Sequence, residues 1–102
     1  MKWIDAGPTA ALQDGAAISV AVGRRLVAVA RSGEEYFAIE DLCTHDGAEL
    51  TGGAVDGTQI ICPRHGARFC LKTGQALTPP AYEPVIVFET KVEDGRLWVR
   101  SD

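Results

Sequence analysis

Two short segments concentrate the side chains that bind metals. Cys43-Thr44-His45 is a Cys-x-His, and Cys62-Pro63-Arg64-His65 is a Cys-x-x-His. Sixteen residues, 46 to 61, separate them, and together they hold both histidines and two of the three cysteines in the chain. Two thiolates and two imidazoles suit a tetrahedral zinc ion. They equally suit a two-iron cluster in which one iron takes both sulfurs and the other both nitrogens. Structural zinc sites usually pair like with like, Cys with Cys on one turn and His with His on a helix. Here each segment offers one of each. Two such loops side by side would put both sulfurs at one end of a site and both nitrogens at the other, which is what an asymmetric cluster needs. A thiol enzyme is a weaker reading, because no oxyanion-hole motif accompanies either Cys/His pair.

The elements that must position these segments read as strands. Each segment follows an apolar run and leads into glycine, Gly47 or Gly66, so each is expected to be a loop at a strand end. Ile18 to Val22 alternates, Arg24 to Arg31 follows across a turn at Gly23, and Ser32-Gly33 leads into Glu35 to Glu40. Gly52 to Gly57 reads as a loop or tight hairpin before a short strand at Thr58 to Ile61, and Ala67 to Leu71 reads as another strand. Near the C-terminus, Val85 to Val92 and Arg96 to Arg100 flank Glu93-Asp94-Gly95, a strong hairpin signal. Pro79-Pro80-Ala81-Tyr82-Glu83-Pro84 cannot pair centrally in a sheet, since three of its six residues lack an N–H. No segment carries a persuasive helical pattern. Short strands with frequent turns predict an all-β sandwich or partly open barrel.

Bulk properties bound the function. A chain of 102 residues predicts one domain, 1–102, with one modest core. The net charge of −4 argues against nucleic acid as a partner. The longest strongly apolar stretch, Leu26 to Ala30, is far too short to span a bilayer, and Met1 to Asp5 leads into a strand without a signal-like apolar region. The expectation is a cytoplasmic protein without a membrane partner, in a reducing compartment that an odd cysteine count also fits.

Cys43-Thr44-His45-Asp46-Gly47 and Cys62-Pro63-Arg64-His65-Gly66 resemble the two cluster-binding boxes of Rieske proteins. The likeness continues through Gly66-Ala67-Arg68-Phe69, Lys72-Thr73-Gly74-Gln75-Ala76-Leu77, the proline loop and the final hairpin. It implies one [2Fe–2S] cluster per chain, with Cys43 and Cys62 on the inner iron and His45 and His65 on the outer, solvent-facing one. It also implies antiparallel sheets with the two cluster loops at one tip, covered by the proline loop. Within the family the chain resembles the ferredoxin component of bacterial aromatic-ring-hydroxylating dioxygenase systems. Such a protein is an electron carrier and not an enzyme. It would take electrons from an NAD(P)H-dependent flavoprotein ferredoxin reductase and hand them to a terminal oxygenase. The alternatives are the small Rieske-like subunit of an NADH-dependent nitrite reductase and, from another class, a zinc-stapled binding module.

Four positions sharpen that expectation. Respiratory Rieske proteins resemble this chain but carry a loop-to-loop disulfide where it has Ala48 and Arg64, and hydroxyls where it has Ala67 and Phe69. Hydrogen bonds to cluster sulfur raise the potential. Their loss implies a value near the low end of the Rieske range, roughly −150 mV rather than about +300 mV. Imidazole edges facing solvent would couple reduction to protonation. Among the remaining residues, Cys70 is expected to be a small buried hydrophobe, and Trp3 and Trp98 to pack at a core or edge. Asp46, Glu49 and Glu83 are candidates for a charged ring at the tip, diluted by Arg64 and Arg68.

Overall fold

A computed structural model describes residues 2–44 and 47–101. His45 and Asp46, each singled out above, lie outside the described residues. The strands are β1 (Lys2–Pro8), β2 (Ala17–Val22), β3 (Arg25–Ser32), β4 (Glu35–Glu40), β5 (Val55–Asp56), β6 (Gln59–Ile61), β7 (Arg68–Cys70), β8 (Val87–Phe88), β9 (Thr90–Glu93) and β10 (Arg96–Ser101). A single 3-10 turn at Thr9–Ala11 is the one helical element among them. The strands form three antiparallel sheets, ordered β1-β10-β9, β2-β3-β4-β8 and β5-β6-β7. The predicted all-β antiparallel class holds.

The four-stranded sheet is the middle layer. On β3, Val27 and Val29 point into one apolar cluster with Leu97 and Val99 of β10, while Ala28 and Ala30 point into another with Ile60 and Phe69. A strand covered on both faces needs no polar alternation, so Leu26 to Ala30 reads as a continuous apolar run. The second cluster joins Ile60 and Phe69 of the small β5-β6-β7 sheet to Cys43 and Cys62, so that sheet packs directly beside the two cysteines.

Two details depart from the expectation. The apolar pattern at 85–92 is not one strand. Val87 and Phe88 pair with Ile39 and Ala38 of β4, whereas Thr90–Glu93 pairs with β10. The chain changes sheets at Glu89, whose carbonyl accepts from the Arg100 N–H at 2.9 Å, and the Thr90 hydroxyl caps the Tyr36 carbonyl at 3.0 Å. Both halves are extended, so alternation continues across the switch. The final hairpin is tighter than predicted: Glu93 pairs directly with Arg96, leaving Asp94 and Gly95 at φ 54° and 74° as the two central residues. Positive φ at both is what a two-residue type I′ turn demands.

Candidate metal centre

The Cys43 and Cys62 segments adopt the same turn. The Cys43 N–H donates to the Ala48 carbonyl at 2.7 Å, and the Gly47 N–H donates back to the Cys43 carbonyl at 2.8 Å. In the second loop the Cys62 N–H donates to Ala67 at 2.7 Å and the Gly66 N–H to Cys62 at 3.0 Å. The fifth residue of each turn has φ near the left-handed region, 78° at Gly47 and 76° at Gly66, which explains why both are glycine. Cys43 and Cys62 are each 1% exposed and belong to one apolar cluster with Leu50, Ala67, Phe69 and Ala81. His65 is exposed.

This arrangement brings together the two predicted sulfur donors in one dry interior and sets a predicted nitrogen donor outside it. Among the described residues no three of His, Cys, Asp and Glu gather as a group that could hold a single metal ion; with His45 outside them, the four-ligand set stands as an expectation. The donor chemistry nevertheless fits the asymmetric cluster: two thiol groups inside, an imidazole at the surface. Ala67 and Phe69 are fully buried and offer no hydroxyl, as the sequence required.

The proline segment covers the pair. Its entry is tied to β7, where Arg68 donates its N–H to the Thr78 hydroxyl oxygen at 2.9 Å and accepts from the Leu77 N–H at 2.8 Å. Its exit is tied by the Val85 N–H to the Gly74 carbonyl at 2.8 Å. Between these anchors Ala81 enters the cysteine cluster, and the Thr44 hydroxyl donates to the Glu83 carbonyl at 2.7 Å. Tyr82 is left 81% exposed. The Pro79–Pro80 peptide is cis.

The charges differ from the simple ring expected at the tip. Glu49 and Glu83 are exposed there. Arg68 does not dilute them: its guanidinium reaches back along the small sheet to Asp56 and Gln59, each at 3.1 Å. Trp3 and Trp98 lie on the outer face of the β1-β10-β9 sheet, with the Lys91 ammonium 4.6 Å from the Trp3 ring, an edge-packing role as expected.

Cys70 corrects its expectation. It is only partly buried and forms no disulfide. It begins a third copy of the same turn: its N–H donates to Gln75 at 2.9 Å, the Gly74 N–H donates back at 2.7 Å, and Gly74 has φ 79°. The Thr73 hydroxyl, helped by the backbone N–H groups of Thr73 and Lys72, lowers the Cys70 pKa below that of an ordinary thiol.

Sequence reading passed over Asp41. It is the one buried charged residue among those described, 5% exposed. Its Oδ1 accepts the Leu50 and Thr51 N–H groups at 2.7 and 2.8 Å, and its Oδ2 accepts the Thr51 hydroxyl at 2.7 Å. The available signal was a carboxylate two residues before a candidate ligand, at the end of a strand about to be buried.

The Rieske [2Fe-2S] domain model matches residues 2–89. The chain belongs to the Rieske [2Fe–2S] family. It is 41% identical to ferredoxin CarAc of Metapseudomonas resinovorans over 81 residues, covering 79% of this chain and 76% of that one. It is 36% identical to the 3-phenylpropionate/cinnamic acid dioxygenase ferredoxin subunit of Escherichia coli K12 over 100 residues, 97% of this chain and 93% of the relative. It also superposes, with a TM-score of 0.89 and 38% identity, on a chain in the complex of reduced oxygenase and oxidized ferredoxin of carbazole 1,9a-dioxygenase, covering 95% of this chain and 91% of that chain. These relatives are electron-carrying components, not catalysts of substrate chemistry. A [2Fe–2S] cluster is what the family binds.

Proposed function

We propose that this chain is the ferredoxin of an aromatic-ring-hydroxylating oxygenase system. It takes single electrons from an NAD(P)H-dependent flavoprotein reductase and delivers them to the terminal oxygenase. Cys43 and Cys62 hold the inner iron of the [2Fe–2S] cluster, and His45 and His65 the outer iron. When bound, the cluster supplies a one-electron acceptor and donor. The chain's own residues do the rest. The two matched turns present the sulfurs from a dry interior, the proline segment keeps water from that side, and His65 offers an imidazole edge at the surface where a partner can approach.

The carrying observation is the pair of turns closed by the same hydrogen bonds, with both cysteines in one apolar cluster and His65 exposed. The identities of 41% and 36% to dioxygenase ferredoxins support the choice of partner system. Ala67 and Phe69, lacking hydroxyls, support a potential of roughly −150 mV, suited to electrons arriving from a flavin and ill suited to quinol oxidation. None of the described helices is long and apolar enough to cross a membrane, which fits a cytoplasmic carrier.

EPR of the dithionite-reduced protein, combined with a spectroelectrochemical titration, tests this reading. A rhombic spectrum with average g below that of all-cysteine two-iron proteins, and a potential at the low end of the Rieske range, is expected. A colourless, EPR-silent, zinc-loaded protein would return the chain to the class of zinc-stapled modules.

A further inference from the structure

The two cysteine turns are alike, but what closes them is not. The Cys62 turn ends a regular hairpin: beyond the Cys62–Ala67 rung, Ile61 pairs with Arg68 and Ile60 with Phe69. Counting the same number of residues out from Cys43–Ala48, the rung equivalent to Ile60–Phe69 is Asp41–Leu50. No ladder forms there, because the Asp41 N–H is already given to the Leu26 carbonyl of β3 at 2.9 Å and the chain after Ala48 turns away from β4. The Leu50 N–H, which a hairpin would pair with the backbone carbonyl of residue 41, goes instead to the residue's carboxylate, and so does the next N–H, that of Thr51.

We infer that Asp41 is a positioning residue: its carboxylate replaces the missing strand pairing and holds the Cys43 turn in the shape that receives the cluster. The inference rests on the reading of Cys43 as a cluster ligand. A buried carboxylate is costly unless its lone pairs are used. Here three donors use them, one a hydroxyl and two backbone N–H groups that burial would otherwise orphan. Charge-assisted bonds of this kind are about twice as strong as neutral ones, which suits a device that must do with one side chain what a ladder does with several rungs. The equivalent position in the other loop, Ile60, is fully buried and apolar because its hairpin leaves nothing to satisfy.

The test compares holoprotein of wild type, Asp41→Ala, Asp41→Asn and Thr51→Val. Two quantities are read: the rate of cluster loss in excess chelator, from visible absorbance, and hydrogen exchange by mass spectrometry in peptides spanning 47–52 and 66–71. Asp41→Ala should release the cluster at least about tenfold faster and unprotect 47–52 while 66–71 stays protected. Asp41→Asn, whose amide oxygen can still accept both N–H groups, should restore most of the retention. Thr51→Val removes one bond of the three and should fall between, which keeps the test open if Asp41→Ala does not fold. Wild-type kinetics and protection in Asp41→Ala would overturn the inference, as would equal loss of protection in both peptides. A wild-type chain that takes up no [2Fe–2S] cluster would instead overturn the function proposed above. The exchange contrast between the two loops would still decide the role of Asp41 as a brace.

Discussion

The Cys43 and Cys62 loops share a turn and differ in their support. One is the end of a two-stranded ladder; the other hangs between β4 and an irregular return, braced by a carboxylate. The turn is local, fixed by a cysteine followed four residues later by a glycine that tolerates positive φ. Support is non-local and can be met in more than one way. The third copy of the turn, at Cys70, adds the control that nature supplies. It has the cysteine and the glycine but no histidine, and its partly buried thiol lies outside the shared apolar cluster. The turn by itself is therefore no metal site. Convergence of two such turns on one dry interior makes the candidate.

The contrast is broken most forcefully at the equivalent buried positions Leu50 and Phe69, both 0% exposed. Replacing either with alanine should cost about 2–5 kcal/mol, by lost burial and the cavity left behind. The losses should differ in where they fall. With Phe69→Ala the Ile61–Arg68 rung still closes the Cys62 turn, so cluster retention should survive better than global stability. With Leu50→Ala the Cys43 turn loses the packing that seats its carboxylate brace, and retention should drop in step. Urea denaturation of the holoprotein alongside cluster-loss kinetics separates the two. Equal retention in both variants would erase the distinction between the loops.

A smaller perturbation acts where the two supports cross. The Gly53 N–H donates to the Leu50 carbonyl at 3.0 Å, and Ala54 accepts from the Ile61 N–H at 3.0 Å, so the return from the first loop lies against the strand entering the second. A Cβ on Gly53 would sit 1.9 Å from the Ile61 carbonyl oxygen. That neighbour is backbone and must move. Gly53→Ala should destabilise by about 1–3 kcal/mol, visible as a lower urea midpoint, and should loosen both cysteine loops together. Loosening of the 47–52 segment alone would mean that the crossing does not couple them.

Much of this was legible in the residues. Cys43 and Cys62, which meet in one buried cluster, stood out by type and spacing, and Gly47 and Gly66 announced the turns. The apolar run within Arg24 to Arg31 marked a strand, though not that both its faces are covered, and Asp94-Gly95 marked the last hairpin. What escaped detection was whatever depends on partners distant in sequence. The switch of sheets at Glu89 is invisible to alternation, since strands of either sheet alternate alike. Asp41 looked like an ordinary charge at a strand end until burial and the N–H groups of residues 50 and 51 gave it a task. Arg68 looked free to shape the field at the tip until Asp56 was found beside it, 12 residues earlier in the chain. Cys70 looked like core because a strand cysteine usually is; its partial exposure follows from facing away from the buried Phe69 across the pleat of β7.

Cys70 also gives the finest test of the comparison. Donors from Thr73 and Lys72 favour its thiolate, so its folded pKa lies below the unfolded value. The sign follows from that order. The contribution to stability is fully present above the unfolded thiol pKa, shrinks through the window between the two values, and is gone once the pH falls below the folded one. A plot of stability against pH should therefore rise slightly more steeply through the mildly alkaline range in wild type than in Cys70→Ser, with the two curves parallel in mild acid. Thr73→Ala should remove most of the difference, because the Thr73 hydroxyl is the largest cause of the shift. Alkylation with iodoacetamide gives a second readout: Cys70 should react first and at lower pH than an ordinary thiol, while Cys43 and Cys62, 1% exposed, should resist as long as the fold holds. If all three cysteines reacted together in the folded holoprotein, the separation of one surface turn from two buried ones would fail, and with it the argument that burial in a shared interior, rather than the turn, selects the ligands.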